Sequence, residues 1–154
     1  MIVRLSMALM VALTVVSHPA QAAGPAIRIT KIYYNSPGSP DSGSQRSLNG
    51  EYVQIKNVSR EKVALDDWTL HDKTKGYGHT YTFTGFTLKP GKTVTVRTGR
   101  GKDTAGTLYW GRGGEGTYSY VWNQTSDTAY LRDETGKLQD SCSYNSRYRS
   151  FKSC

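Results

Sequence analysis

The sequence is poor in the side chains from which metal and redox centres are usually built. Its 154 residues include only two cysteines and three histidines. His18 lies in the N-terminal apolar segment, and the other two histidines stand far from Cys142 and Cys154 in the chain. Structural zinc sites usually take their ligands from closely spaced pairs, a pattern that this chain does not have. The sequence therefore predicts no bound zinc.

Motifs for catalysis and for cofactor binding are also missing. His71 and Asp72 lie near Asp66 and Asp67, but this spacing matches no known ligand pattern, and carboxylates at a corner more often cap turns. The chain is rich in serine, yet no serine stands in a nucleophile elbow. Its glycine-rich runs are not followed by a helix, so they lack the helix N-terminus of a phosphate-binding loop. We predict a protein that is not an enzyme and binds no cofactor.

Long apolar runs are absent beyond the first 22 residues. There, Arg4 precedes an apolar run from Leu5 to Val16, and Ala20-Gln21-Ala22 places small residues at both cleavage-defining positions, the layout of a secretory signal peptide. The run is shorter than the ~20 residues of a membrane-spanning helix. An uncleaved anchor and a buried N-terminal strand are the alternatives. We predict cleavage near Ala22-Ala23 and a secreted, soluble mature chain of residues 23–154 with no membrane span.

The two cysteines, Cys142 and Cys154, both lie near the end of the chain. Export to an oxidising compartment favours a disulfide between them. Such a bridge closes a short loop and contributes about 2–3 kcal/mol on the chain-entropy model. A free buried thiol and a bridge to a second chain are the alternatives, and the sequence does not indicate an oligomeric state.

The stretch of residues 50–72 predicts three strands and a corner. Apolar and polar residues alternate in residues 52–56, which is the period of a strand with one buried face. A polar break follows, and the same apolar phase resumes at Val63. After Asp66 and Asp67 the phase shifts by one residue, which predicts a bulge or a corner at the two aspartates. The predicted core residues are Val53, Ile55, Leu65, Trp68 and Leu70.

Short strands are predicted along the rest of the chain, separated by turns. Residues 26–34 are β-branched and aromatic, and similar runs recur every 8–15 residues, with no helical period of useful length. Residues 89–92 (KPGK) predict a type II turn, and residues 133–136 predict a hairpin turn. Residues 35–49 have no apolar period and predict a long loop, which is either a mobile insertion or functional. The fold class predicted is all-β, an immunoglobulin-like β-sandwich.

A set of short motifs in a particular order covers residues 26–144. The segments are Gly50–Asn57, Val63–Leu65, Asp67–Leu70, Phe86–Leu88, Pro90-Gly91, Thr98–Gly101, Leu108–Trp110, Val121–Asn123, Asp127–Asp133, Gly136 and Asp140. In order and spacing these segments resemble the lamin-tail domain family, in its bacterial secreted branch. The remaining residues 145–154 form a basic C-terminal tail in this interpretation.

The resemblance implies an immunoglobulin-like β-sandwich that serves as a binding or adaptor module. Such domains are often appended to secreted hydrolases and, in eukaryotes, to nuclear filament proteins that meet chromatin and membranes. The family brings no catalytic residues, so none is transferred to this sequence. The chain also lacks the second domain of the fused relatives, so their activities are not implied for it.

Basic and aromatic residues are interleaved in two segments of this positively charged chain. The formal charge is +8, and removal of Arg4 with the leader would make it +7. Arginines beside aromatic rings can hold phosphates while the rings stack on bases or sugars. An ordinary solvated surface is the other interpretation of these residues. The predicted function is a secreted binding or adaptor module whose ligand is a protein, a cell-envelope polymer or a polyanion. An extracellular protein that binds nucleic acid or another anionic polymer is the alternative, and a small hydrolase is a further one. The candidate polyanion-binding residues are Arg97, Arg100, Lys102, Arg112, Arg147, Tyr148, Arg149 and Lys152.

Overall fold

Two β-sheets face each other across the apolar side chains that alternate along their strands. The computed structural model describes residues 24–36, 42–114, 116–145 and 148–154, so the predicted signal peptide lies outside the described residues. The strands are β1 (Ile27–Tyr33), β2 (Tyr52–Asn57), β3 (Val63–Ala64), β4 (Thr69–His71), β5 (Thr80–Thr82), β6 (Thr87–Leu88), β7 (Thr93–Arg97), β8 (Thr107–Tyr109), β9 (Ser126–Arg132), β10 (Leu138–Asn145) and β11 (Phe151–Ser153). The helices are α1 (Gln45–Leu48) and a 3-10 helix (Gly116–Ser119).

One sheet has five strands in the order β11-β1-β2-β7-β8, and the other has four in the order β10-β9-β4-β5. The strands pair antiparallel, apart from β8, which runs parallel to β7. The short pair β3-β6 stands beside them. The predicted all-β, immunoglobulin-like sandwich is confirmed by this architecture. None of the described helices is long and apolar enough to cross a bilayer.

The core lies between the sheets and is built from side chains at every second strand position. In β2 the exposure alternates strictly, with Val53 and Ile55 fully buried between half-exposed neighbours. Leu65 and Leu70 are also fully buried, and Trp68 retains 8% of its surface. Because one shared cluster contains all five of these residues and inward-facing residues of both sheets, the core is continuous across the sandwich.

The corner predicted at the two aspartates is present. Asp67 has φ +61°, in the left-handed region that aspartate tolerates better than most residues. The Trp68 amide donates to the Leu65 carbonyl (3.0 Å), and the Asp66 carboxylate accepts from the Gly85 amide of the facing loop. This turn explains the phase shift, because it rotates the chain so that Trp68 and Leu70 face the same core as Leu65.

Both predicted turns are confirmed by their hydrogen bonds. In residues 89–92 the Lys92 amide donates to the Lys89 carbonyl (3.1 Å), and Gly91 supplies the positive φ (+68°) that a type II turn needs. In the β9–β10 hairpin the Asp133 amide donates to the Lys137 carbonyl (3.0 Å). The Asp133 carboxylate in turn accepts from the amides of Thr135 and Lys137. These side-chain hydrogen bonds lower the pKa of Asp133, the one with the Thr135 hydroxyl most.

Two segments differ from the sequence prediction. Residues 35–49 were expected to be irregular, but four of them form α1, where the Ser47 amide donates to the capping Ser44 side chain. One helical turn is too short to produce a periodic apolar pattern. The segment expected as a basic tail adds β11 to the five-stranded sheet, where Phe151 lies beside Tyr33. Its pairing with β1, over 100 residues earlier in the sequence, has no local sequence signal.

The predicted disulfide joins Cys142 of β10 to Cys154, which follows β11. Since β10 and β11 are edge strands of different sheets, the bridge fastens the two sheets together along one side. We expect reduction of this bridge to lower the free energy of unfolding by about 2–3 kcal/mol. Thermal melts with and without dithiothreitol measure the loss, and a Cys142→Ser/Cys154→Ser double variant should not respond to the reductant. A wild-type melting temperature unchanged by reduction would contradict the prediction.

Buried tyrosines predict a loss of stability at alkaline pH. Burial raises the pKa of the Tyr144 hydroxyl well above its usual range, with nearby Asp127 adding to the effect. Burial also raises the pKa of Tyr81 to about 12, with a further contribution from Asp103. Above pH ~10 the unfolded chain therefore loses protons that the folded chain keeps. The free energy of unfolding should then fall as pH rises, by up to about 1.4 kcal/mol per pH unit for Tyr144.

The matched variant is Tyr144→Phe, which keeps the ring stacked 3.8 Å from Tyr34 but removes the hydroxyl that donates to the Asn123 carbonyl. Denaturant unfolding at pH 9, 10 and 11 should show a shallower decline for this variant than for the wild type. Parallel declines would show that the Tyr144 hydroxyl does not contribute to alkaline unfolding.

Candidate binding surface at one end of the sandwich

The loops that contain the candidate residues meet at one end of the sandwich. The Trp110 indole donates to the Gly78 carbonyl (3.0 Å), and the Ser47 and Tyr120 hydroxyls lie 2.6 Å apart. The Ser150 carbonyl accepts from the amides of residues 34 and 35. We call this part of the molecule the basic end; it comprises the described residues of 34–51, 72–79, 98–103, 110–125 and 148–150.

A buried glutamate connects three of these loops. Glu51 is fully buried, and its Oε1 accepts from the Thr98 hydroxyl (2.7 Å) and from the Val121 amide (2.9 Å). The Thr98 amide also donates to the Glu51 carbonyl (3.1 Å). Glu51 thereby holds the start of β2, the end of β7 and the loop before β9 in one arrangement.

Two buried aspartates shape the remaining loops. Asp72 is fully buried; its carboxylate accepts from the amides of Thr74 (2.8 Å) and Lys75 (3.0 Å) and lies 2.7 Å from Nδ1 of His79. Asp127 accepts from the Asn123 amide and side chain and, at 3.3 Å, from the Lys73 amide. These buried carboxylates therefore support the loops from inside. Within the described residues no group of three or more His, Cys, Asp and Glu could hold a metal ion.

The exposed charges are distributed unequally between the two ends. Among the described residues of the basic end, Asp103 is the one exposed acid, and its Oδ1 accepts from the Tyr109 amide. The exposed cations there are Arg46, Lys73, Lys75, Arg100, Lys102 and Arg149. The opposite end mixes both signs: its exposed acids are Glu61, Asp66, Asp67 and Glu134, and its exposed cations are Arg60, Lys62, Lys89, Lys92 and Lys137.

Three of the predicted arginines also hold the loops together. Arg100 donates from Nε to the Gly111 carbonyl (3.1 Å) and from a terminal nitrogen to the Gly113 carbonyl (3.3 Å). Arg112 donates to the carbonyls of residues 118 and 119, at 2.6 and 3.2 Å. Arg97 donates to the Asn49 carbonyl and lies 5.5 Å over the Tyr52 ring. Lys102 is exposed in the connection from β7 to β8, beside Gly101, whose backbone packs on the Tyr109 ring.

The polyanion-binding residues predicted near the C-terminus do not all lie at the same place in the structure. Tyr148 and Arg149 lie in the β10–β11 connection at the basic end, and both are exposed. Lys152 instead lies within β11, opposite Ile32, at the edge of the sheet. Arg147 lies outside the described residues. The fold therefore brings the glycine-rich loop and part of the C-terminal segment, which are far apart in sequence, to the same end of the molecule.

The sequence interpretation missed the β4–β5 loop of this end. Residues 73–77 contain two exposed lysines, Lys73 and Lys75, and Tyr77, which is 98% exposed. The sequence did contain a signal for the exposure of Tyr77. This residue stands between two glycines in a polar stretch with no apolar period, so it does not belong to a strand whose alternation would turn its side chain into the core. Arg46 was missed for a different reason, because α1 was not predicted.

Comparison with protein-family models gave one family. A model described as Lamin Tail Domain matches residues 20–146, which is most of the chain. Its members are immunoglobulin-like domains that are generally non-catalytic. A comparison with curated proteins found no match.

Proposed function

The chain belongs to the lamin tail domain family, and on that premise we propose that it is a secreted, non-catalytic binding module whose basic end holds a polyanion. The observation that carries the proposal is the separation of charge at this end. Among its described residues, the acids Glu51 and Asp72 are buried beneath the loops, as is the adjoining Asp127, while six cations and a single acid, Asp103, are exposed. Within the part of this end that the structure describes, a polyanion thus meets six exposed cations and one exposed carboxylate.

The position of these cations suits binding. Loops at the end of a rigid sandwich are the usual place for recognition in immunoglobulin-like domains. Cations that converge within about a Debye length, ~10 Å at 0.1 M salt, add their potentials and attract a polyanion more strongly than scattered charges do. The hydrogen bonds that Arg100 makes to loop carbonyls fix its guanidinium group in place, which lowers the entropy lost on binding.

Secretion is supported by two independent features. Residues 1–22 have the layout of a signal peptide. The Cys142–Cys154 bridge is of a kind that persists in oxidising compartments and is rare in the cytosol. The mass of protein recovered from culture medium tests this part of the proposal. A chain that begins near Ala23 is expected, and a chain that retains Met1 would contradict cleavage.

Heparin retention tests the polyanion-binding function. The protein should bind heparin at ~50 mM salt and elute as salt rises, because polyanion contacts release counterions. We expect Lys73→Ser/Lys75→Ser/Arg149→Ser to elute at clearly lower salt. The matched control is Arg60→Ser/Lys62→Ser/Lys89→Ser, which removes the same charge from three exposed positions of the opposite end.

The control should elute close to the wild type. Equal shifts for the two triple variants would show that net charge alone determines retention. A wild-type protein that does not bind at ~50 mM salt, where contacts to polyanions are strong, would contradict polyanion binding. The ligand would then be sought among proteins and neutral cell-envelope polymers.

A further inference from the structure

Three tyrosines at the basic end are almost completely exposed. Tyr77, Tyr118 and Tyr148 retain 98%, 84% and 86% of their surface. The other eight of the chain's eleven tyrosines are buried or half-buried, several of them in stacked pairs such as Tyr33 with Tyr52 at 5.2 Å. Tyrosine is a large, mostly apolar side chain that usually buries far more of its surface than these three do. The concentration of exposed rings at one end therefore points to an interaction surface.

The loops that present Tyr77 and Tyr118 contact each other. The Arg112 guanidinium fills the space that a side chain on Gly78 would need, and it donates to the Tyr118 carbonyl (2.6 Å). The backbone of Gly78, next to Tyr77, and the backbone of Tyr118 thus both contact one arginine. Tyr148 lies at the same end but on its other side, in the connection between β10 and β11, which are the edge strands opposite β5 and β8. Lys73 and Lys75 precede the first ring, and Arg149 follows the third.

Exposed tyrosine rings beside exposed cations favour one class of polyanion. Rings accessible on their faces add stacking to electrostatic attraction, and stacking requires a ligand that carries flat rings along an anionic backbone. Single-stranded nucleic acid has unpaired bases with free faces, whereas a duplex encloses them and an anionic glycan has no aromatic rings. An anionic membrane is less suitable, because the exposed aliphatic side chains of the described residues, Val58 and Leu138, lie at the opposite end.

We propose that Tyr77, Tyr118 and Tyr148 are stacking platforms for the bases of single-stranded nucleic acid, an inference that rests on the proposed polyanion function. The surrounding lysines and arginines hold the phosphates between the stacked bases. Recognition of this kind is tolerant of sequence, since every base offers a π face, and it weakens steeply with salt.

The test compares two strands of equal length and charge: a fluorescent oligothymidylate and an abasic deoxyribose-phosphate strand. The wild type should bind oligothymidylate at least about tenfold more tightly than the abasic strand. Tyr77→Ala, Tyr118→Ala and Tyr148→Ala should each lower the affinity for oligothymidylate about fivefold or more and leave the affinity for the abasic strand unchanged. Leu138→Ala, an exposed apolar truncation at the opposite end, is the control and should change neither.

The outcomes separate this inference from the function on which it rests. Equal wild-type affinities for the two strands would overturn stacking and leave polyanion binding intact. Tyrosine variants that lower both affinities alike would also overturn it, because they would indicate a structural role; thermal melts of each variant check this. Binding to heparin or to phosphatidylserine vesicles as tight as to oligothymidylate would show that the surface responds to charge alone. No binding to any probe would contradict both proposals.

Discussion

Trp68→Ala lowers the free energy of unfolding by about 3–5 kcal/mol, the cost expected for the truncation of a buried tryptophan. Trp68 is 8% exposed and belongs to the core cluster shared by both sheets. Its backbone is fixed on both sides, because its amide donates to the Leu65 carbonyl (3.0 Å) and its carbonyl accepts from the Phe83 amide (2.9 Å). The strands therefore cannot collapse easily into the space that the indole leaves, and the cavity term adds to the lost transfer free energy.

Guanidinium chloride unfolding measures this loss. Val58→Ala, a truncation at a position 53% exposed, serves as the control and should change stability by no more than about 0.5 kcal/mol. If Trp68→Ala unfolds at the wild-type midpoint, the indole does not lie in the core, and the corner at the two aspartates is placed incorrectly.

Glu51→Ala has the second largest expected effect, a loss of about 3 kcal/mol. A buried donor that loses its acceptor costs roughly 1–3 kcal/mol, and Oε1 of Glu51 accepts from two such donors. The partners are buried, with Thr98 at 0% and Val121 at 2% exposure, so the substitution leaves two donors that water does not reach. The matched variant is Glu51→Gln, which keeps the size of the side chain and an acceptor oxygen.

We expect Glu51→Gln to lose less than half as much stability as Glu51→Ala in denaturant unfolding. Glu51→Ala should also weaken heparin retention, because it releases the loops around Thr98 and Val121 that form part of the basic end. An alanine variant as stable as the wild type would show that the carboxyl group does not support these loops.

The strands and turns were predictable because their signals are local. The two-residue period of β2 follows from one buried face, and the shift at Asp66 and Asp67 follows from a left-handed residue in the turn. The type II turn at residues 89–92 was predictable for an equally local reason, because it needs a positive φ at its third residue and Gly91 supplies it. The strand β11 and the parallel pairing of β7 with β8 were not predictable in this way, because each depends on contacts between distant segments.

The site was predictable in composition but not in arrangement. The interleaved arginines and aromatics of the two segments indicated a basic surface, but only the fold brings Arg100 and Arg149 to the same end. The sequence also did not indicate that Arg100 and Arg112 bind backbone carbonyls, a role that arises because carbonyls in loops and at the end of a helix have no partner in a strand ladder. Similarly, nothing in the sequence distinguishes the buried Glu51 from an exposed acid.

The central claim is that the basic end is the binding surface, and amide chemical shifts recorded during titration with oligothymidylate test it most directly. The account predicts that the largest shifts occur in residues 72–79, 98–103, 111–120 and 148–150, and that they diminish as salt is added. Residues 58–62, 84–92 and 133–137 at the opposite end should change little. Shifts that are largest at the opposite end, or spread evenly over both ends, would contradict the account.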